Sequence, residues 1–596
     1  MFQISHYFTC YSKMIGTQKI STAKIILQPI EKILTKELRR HFSSQNKKHA
    51  NILQTQKFVP FIERVEMRRA EAKRSIIVQV QSAQSSKELQ SYCDSIGTVQ
   101  SMFHYTSGVE PLHFIIVEFE KESDVKNVLQ ASSQIDHIEE TMAVPTQSHF
   151  LWFRASNRKL TKLKQNKSTK LLVQNGTNIV GEDEIKEMLT NCETVSDQLK
   201  KLHKITKLND VGTRLRFLTA VQVEDALSGI FPNARAFPFG SSVNGYGKMG
   251  CDLDLVLRLV NDKKDSKDSR LIFHCKPVVG SERLVTQRHM ETVGDLIHLF
   301  LPGCGHVRRI LQARVPIIKY HQQLTDVECD LSMSNLTGVH MSDFLYMMGE
   351  IDDRVRPLIF AIRKWASAVG LTNLSPGRWI SNFSLTLLVL AFLQKPLNSP
   401  PILPSLNKLT SLAGPKDQYV LDNGITCSFL RDLRKLNTKT QNTESLESLL
   451  CEFFAYYSQF DFNTKAVCLN EAVSITKPEH TAMYIINPLE RGLNVSKNVS
   501  LDEVERFKNE VRTAAWTLES QENKSRNWGL LSILESKKRA VSNGSINSKN
   551  NRLMEVRALF DKERQEANFQ ETNSKNLFND VRKDIVENIE VENGQR

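Results

Sequence analysis

The stretch Phe237-Pro-Phe-Gly240-Ser241-Ser-Val-Asn-Gly-Tyr-Gly-Lys-Met-Gly-Cys-Asp252-Leu-Asp254-Leu-Val-Leu-Arg-Leu259 decides the fold. Its second half alternates apolar residues with two aspartates. That is the period of a half-buried strand, so Asp252 and Asp254 project from one face. Two neighbouring carboxylates repel, and on such a strand they are costly unless a cation neutralises them. Mg2+ favours hard oxygen ligands, commonly one or two carboxylates completed by substrate phosphates. In the first half, Gly240-Ser241 is a small-residue turn where backbone amides and a hydroxyl can approach phosphate oxygens closely. A lone pair of spaced aspartates is more often a solvated turn, and a lone Gly-Ser says still less. The two in this order, followed by an aspartate on another strand, are specific. Val327-Glu-Cys-Asp330-Leu-Ser-Met333 reads as that other strand. Alone, Asp330 would pass for a strand-end residue; after Asp252 and Asp254 it becomes a third candidate ligand.

Working outward, 596 residues exceed what one hydrophobic core serves, so three or four structural units are expected. The net charge of +13 and pI near 9.1 favour a polyanionic partner such as RNA, DNA or an anionic membrane surface. The ten cysteines are scattered without zinc spacing, which suits reduced core thiols. No apolar run approaches the length of a membrane span, so no membrane insertion is expected; Phe383 to Leu393 reads as a core helix.

The first thirty residues carry Lys13, Lys19 and Lys24 with no acid, ahead of Arg39-Arg40-His41-Phe42. Residues 1–45 therefore read as a mitochondrial transit peptide, although arginine is scarce before residue 39. A basic helix over Lys57–Arg74 precedes a strand at Ser75–Val80, a helix at Lys87–Ile96, strands at Val99–Tyr105 and Phe114–Phe119, and a helix at Ser123–Ala131. This β-α-β-β-α order over 57–150 resembles an RNA-recognition-motif (RRM) fold, with room for a weak last strand before residue 150. Phe114 and Phe119 cannot share a face by alternation, so at most one is a stacking platform. The alternative is a degenerate module used for packing or self-association. Between Arg154 and Lys170 lie seven basic residues and no acid, either a solvated linker or a strip that tracks phosphates. The remaining boundaries are a basic linker over 151–181, a catalytic domain over 182–355, a helical domain over 356–520 and a charged, partly disordered tail over 521–596.

The ordered Gly-Ser, paired aspartates and third aspartate resemble the DNA polymerase β-like nucleotidyltransferase superfamily. Residues 182–518 are similar to its noncanonical poly(A) and poly(U) polymerase branch, through Arg356–Ala366, Trp379–Leu387, Leu449–Tyr457 and Ile485–Val499. With the leader and the RRM-like module, the chain is most similar to the mitochondrial poly(A) polymerases. The resemblance implies an α+β fold: a nucleotidyltransferase palm with a mixed sheet, a mostly helical PAP-associated domain, and the N-terminal module. It implies template-independent transfer of AMP from ATP to RNA 3′ ends in the mitochondrial matrix, with two Mg2+ or Mn2+ ions. Asp252 and Asp254 would bridge both ions, and Asp330 would hold the one beside the RNA 3′-hydroxyl. Gly240 and Ser241 would hold the triphosphate, and Arg363 stands where many relatives have a phosphate-binding Lys. Asn382 and Phe383 occupy positions where uridylyl relatives carry Ser and Tyr, so Phe383 can stack but cannot donate a phenolic hydrogen bond. Glu490 is left to contact the base, and Asn487 stands where Asp is frequent. Leu493 replaces a His usual in uridylyl-specific members, which favours adenine. A homodimer through the RRM-like module is a further implication. The competing readings are an RRM-bearing terminal uridylyltransferase and a catalytically dead RNA-binding scaffold; the intact triad opposes the second.

Overall fold

The computed structural model describes residues 58–133, 148–154, 169–173, 176–259, 280–373, 377–421, 424–436, 440–520 and 528–534. The expected leader over 1–45, most of the basic strip after Arg154 and the tail beyond 534 lie outside the described residues. All elements below belong to the unit Val59–Arg596.

The chain opens with α1 (Phe61–Lys73), then β1 (Ser75–Val80), α2 (Ser86–Asp94), β2 (Val99–Ser107), β3 (Leu112–Phe119), α3 (Glu122–Ala131), β4 (Phe150–Trp152) and β5 (Leu171–Val173). The expected β-α-β-β-α order is present. Two details differ. The closing strand starts at residue 150 instead of ending before it, and it runs parallel to β1. The stretch expected as a linker also supplies β5, which pairs with β2 and completes the order β4-β1-β3-β2-β5. Three-residue edge strands in a basic, Ser/Asn-rich background leave too little alternation to be read from sequence.

The two faces of this sheet are used differently. Phe119, Ile115 and Val117 pack with Leu89 of α2 and Val125 and Val128 of α3. Phe114, Ile116, Phe103 and Tyr105 point the other way, onto Val211, Leu215, Leu218 and Val221 of α6 (Asp210–Leu227). Tyr105 donates its hydroxyl to Leu324 O at 2.9 Å, and Ser107 donates to Gln323 O at 2.8 Å. Phe114 is buried in this contact, so of the two uses considered for the module, packing is the one this face serves. Helix α1 adds a buried ion pair between Arg69 and Glu224 of α6, and Arg69 also donates to Ala236 O at 3.1 Å.

The second sheet follows α4 (Glu182–Thr190), α5 (Val195–Thr206) and α6, and comprises β6 (Ala234–Phe239), β7 (Leu253–Leu259), β8 (Cys304–Ile310), β9 (Ile317–Gln322) and β10 (Val327–Ser332) in the order β6-β7-β10-β9-β8. It is mixed: β10 runs parallel to β7, and the other pairs are antiparallel. One face is covered by α6 and by α8 (Glu282–Phe300), after the intervening one-turn α7 (Ser241–Asn244); Leu253, Leu255 and Leu257 bury there against Val223, Leu227, Val293 and Ile297. Period-two alternation then turns Asp254 to the opposite face.

The third layer is helical: α9 (Leu336–Ile351), α10 (Val355–Ala368), α11 (Asn382–Gln394), α12 (Leu406–Ser411), α13 (Leu446–Gln459), α14 (Leu501–Glu519) and α15 (Leu530–Leu534), with the small hairpin β11 (Lys465–Cys468) and β12 (Val473–Thr476). Phe383–Leu393 is part of α11, nearly all of it buried. The side chains of Ile185, Leu189, Leu199 and Leu202 of α4 and α5 join this helical core and not the core under the second sheet. The chain therefore enters the helical layer, leaves to build the palm, and returns. Nor is the segment after 520 all tail: Leu530 and Ile533 are buried, and Leu530 N donates to the buried Gln198 at 2.8 Å.

Candidate active site

At the end of β6 the backbone must turn away from the sheet beside Asp254. Gly240 does this at φ +70°, ψ −151°, a region that side chains rarely enter. A Cβ there would lie 2.2 Å from Asp254 Oδ2, so glycine is also the only residue this approach admits. Gly240 N donates to Ser342 Oγ of α9 at 2.7 Å, which ties the turn to the helical layer. Ser241 follows at the start of the one-turn α7, partly exposed. Two buried side chains hold the stretch before β7. Ser242 donates its hydroxyl to Asp252 O at 2.8 Å, and Arg216 of α6 donates to Gly212 O at 3.0 Å and to Cys251 O.

The three aspartates meet where β7 and β10 run side by side. Asp330 pairs in register with Asp254, and Asp252 stands just before β7, at the exposed mouth. Burial, then the Asp330 and Asp252 carboxylates, push Asp254 up to about 7. Burial and then Asp330 move Asp252 in the same direction. Lys319 of β9, in register with Asp330, holds that carboxylate at 2.7 Å and supplies part of the missing positive charge. Among the described residues no three Asp, Glu, His or Cys side chains stand as a finished cation cage. The donor set nevertheless fits a divalent cation: hard carboxylate oxygens, crowded by like charge, with the strongest crowding at the buried member. A cation would relieve that crowding, and substrate phosphates would complete the shell.

Arg363 of α10 is half-buried and already engaged. It donates to Tyr246 O at 2.8 Å, to Thr386 Oγ1 at 2.7 and 3.1 Å, and to Asn382 O at 3.3 Å. It thus ties the loop after Gly240 to the start of α11, and only its remaining N–H groups are available to a phosphate. Asn382 is exposed and Phe383 half-buried at that helix start, Phe383 packing on the helical core. Glu490 accepts from Arg314 of the β8–β9 turn at 2.8 Å, so it already reaches the palm side. Asn487 is buried, its Oδ1 accepting from Leu489 N at 3.0 Å and Glu490 N at 3.1 Å, so its carbonyl oxygen shapes the turn. Leu493 closes that turn through its N–H to Glu490 O at 2.8 Å.

A family model described as "Poly(A) RNA polymerase, mitochondrial-like, central palm domain" matches residues 195–350, and one described as "Cid1 family poly A polymerase" matches 445–493. The mitochondrial poly(A) RNA polymerase of Drosophila melanogaster is 48% identical over 509 residues, covering 82% of each chain. The Homo sapiens protein of the same name is 35% identical over 486 residues, 80% of this chain and 81% of that one. This chain belongs to the mitochondrial poly(A) RNA polymerase family. A crystal structure of mtPAP in complex with ATPγS superposes with a TM-score of 0.72 at 35% identity, covering 80% of this chain and 99% of that one. The fold, a nucleotidyltransferase palm beside a helical layer, is the family's, and membership makes the chain a polynucleotide adenylyltransferase that depends on a divalent metal.

The palm of this family member also relies on residues that the sequence did not single out. Ser242, Ser342 and Lys319 each hold a candidate site residue or its backbone, and Arg216 holds Cys251 next to Asp252. Only Lys319 carries a sequence signal, a cation on a strand otherwise apolar between Ile317 and Tyr320.

Within the described residues no helix is long and apolar enough to cross a membrane.

Proposed function

We propose that this chain extends RNA 3′ ends with adenylate, without a template, in the mitochondrial matrix. The observation that carries the reading is the Gly240 turn pressed against Asp254 while Asp330 lies in register beside it. Such a turn offers backbone amides to a triphosphate next to carboxylates suited to cations. Asp252 and Asp254 would hold two Mg2+ or Mn2+ ions and Asp330 one of them, nearest the RNA 3′-hydroxyl. Bound there, such ions lower the pKa of the attacking hydroxyl and neutralise charge on the departing pyrophosphate. The chain's own part is positioning. Gly240 and Ser241 cradle the phosphates, Arg363 fixes the loop behind them and lends its free N–H groups, and Phe383 offers a ring face at the cleft. Glu490 would exchange Arg314 for a base.

Preference for ATP rests on Leu493, which presents no hydrogen-bonding group where uridylyl-specific members place an imidazole. One solved mtPAP structure holds UTP, so for this family the choice must be read from incorporation and not from binding. Self-association through the N-terminal module is supported by the strands that end its sheet among the described residues, where Trp152 (56% exposed), Leu172 (39%) and Val173 (66%) leave apolar surface. The deciding experiment supplies each NTP separately to recombinant protein with an RNA primer and Mg2+ or Mn2+. A ladder with ATP supports the reading, and a ladder with UTP alone rejects the assignment of Leu493.

A further inference from the structure

The pairing of the palm strands sets Arg308 opposite Lys319, Lys319 opposite Asp330, and Asp330 opposite Asp254. Residues opposite one another project from the same face of a sheet. Two cations and two carboxylates therefore form one row across β8, β9, β10 and β7. The neighbours point the other way: Ile318 is buried, and Arg309 pairs with Asp295 of α8 on the covered face.

Like charges directly opposite one another destabilise a strand pair. Lys319 is compensated by Asp330 at 2.7 Å, but Arg308 is exposed and has no carboxylate partner among the described residues. A charge on an edge strand can deter pairing between copies. That would suit any exposed cation, and does not call for one set against Lys319 and in line with the triad. What Arg308 lacks, at the far end of the row from the carboxylates, is an anionic partner among the described residues.

We propose that Arg308 and Lys319 seat the last phosphodiesters of the RNA and so present its 3′-hydroxyl to Asp330. The inference rests on the reading that the triad extends RNA. An RNA end at Asp330 runs its preceding phosphates over the cations next in the row. The Arg308 guanidinium is a planar fork matched to phosphate oxygens, and Lys319, with three donors on a flexible stem, can bridge Asp330 and a phosphate together.

The test uses the full chain and a 3′-hydroxyl oligo(A) with a 5′ fluorophore, titrated in EDTA over a range of salt so that binding is read without turnover. Arg308→Gln should bind about five- to tenfold more weakly, with a salt slope shallower by about 0.7 for the lost phosphate contact. Arg308→Lys should recover most of the affinity. With metal and ATP present, Arg308→Gln should raise KM for RNA and leave KM for ATP in place. Lys319→Gln also disturbs Asp330, so it is judged on the EDTA titration alone, where the same loss is expected. Unchanged affinity and slope in a normally melting Arg308→Gln overturn the proposal, as does a lowered melting temperature with the slope unchanged, which assigns Arg308 to the strand edge. Failure of the parent reading looks different: the unaltered protein would then not extend RNA at all.

Discussion

Replacing Gly240 with alanine adds one methyl group and tests the geometry of the site more sharply than removing a carboxylate does. The new Cβ would lie 2.2 Å from Asp254 Oδ2 and 3.1 Å from its Cγ. Comfortable non-bonded carbon contacts sit near roughly 3.5 Å, so the carboxylate must retreat by about 1 Å or the turn must move. The backbone at φ +70°, ψ −151° adds strain of about 1–3 kcal/mol for any side chain. A displacement of about 1 Å in a reacting constellation costs about 100-fold in rate, the larger of the two consequences for function. Single-turnover extension of a labelled RNA primer at saturating ATP should therefore slow by about two orders of magnitude. Melting should fall by only a few degrees, since the strain is small against the stability of so large a fold. If Gly240→Ala extends RNA within threefold of the unaltered rate while remaining folded, the close approach of turn and carboxylate has no catalytic meaning.

Three other outcomes follow from named contacts. Arg69→Ala removes the α1 partner of the buried Glu224, which keeps Ala236 N at 2.7 Å and Arg235 at 3.9 Å; about 3 kcal/mol should be lost in urea unfolding, and a change below 1 kcal/mol would show that this pair does not fasten the helix. Burial, then Lys207 and Arg356, pulls His203 down to about 4, and burial, then Arg431, does the same to His340. An unfolded imidazole takes its proton near 6.5. Stability from these groups is complete above that pH and is lost as pH falls from 6.5 toward 4, by at most about 3 kcal/mol each and less for partial exposure. Urea midpoints at pH 7.5 and 5 measure it, and His203→Gln should flatten the dependence; an unchanged slope assigns the acid sensitivity elsewhere. Leu493→His should raise the ratio of UMP to AMP incorporated by about tenfold in competition, and an unmoved ratio removes Leu493 from the selectivity argument.

How much of this was readable from the sequence depended on whether a feature had a local pattern. Asp252, Asp254 and Asp330 were readable because strand alternation is local and an acid among apolar neighbours breaks it conspicuously. Phe114 and Phe119 were assigned to opposite faces by the same period, and the structure places them so. What covers Phe114 was not readable, because α6 lies about a hundred residues along the chain. The supports of the site are hidden for the same reason: Ser342 meets Gly240 and Arg216 meets Cys251 across long sequence separations, with nothing near either residue to announce it. Helices α4 and α5 follow the expected boundary at residue 182, yet their buried faces pack on the helical core. Helices α4 and α5 carry an ordinary amphipathic stripe, which states that a face is buried but not against what. Arg363 kept the charge expected of it, yet most of its donors serve Tyr246, Asn382 and Thr386, a use that no spacing discloses.

The measurement closest to the central claim pairs the unaltered protein with Asp252→Ala, Asp254→Ala and Asp330→Ala in one primer-extension assay, with ATP and Mg2+ or Mn2+, each variant first checked for an unchanged circular dichroism spectrum. The three-aspartate site predicts a growing adenylate tail from the unaltered chain. Each variant should lose extension, and Asp330→Ala should still bind ATP. Tailing by Asp330→Ala at a rate close to that of the unaltered protein would contradict it.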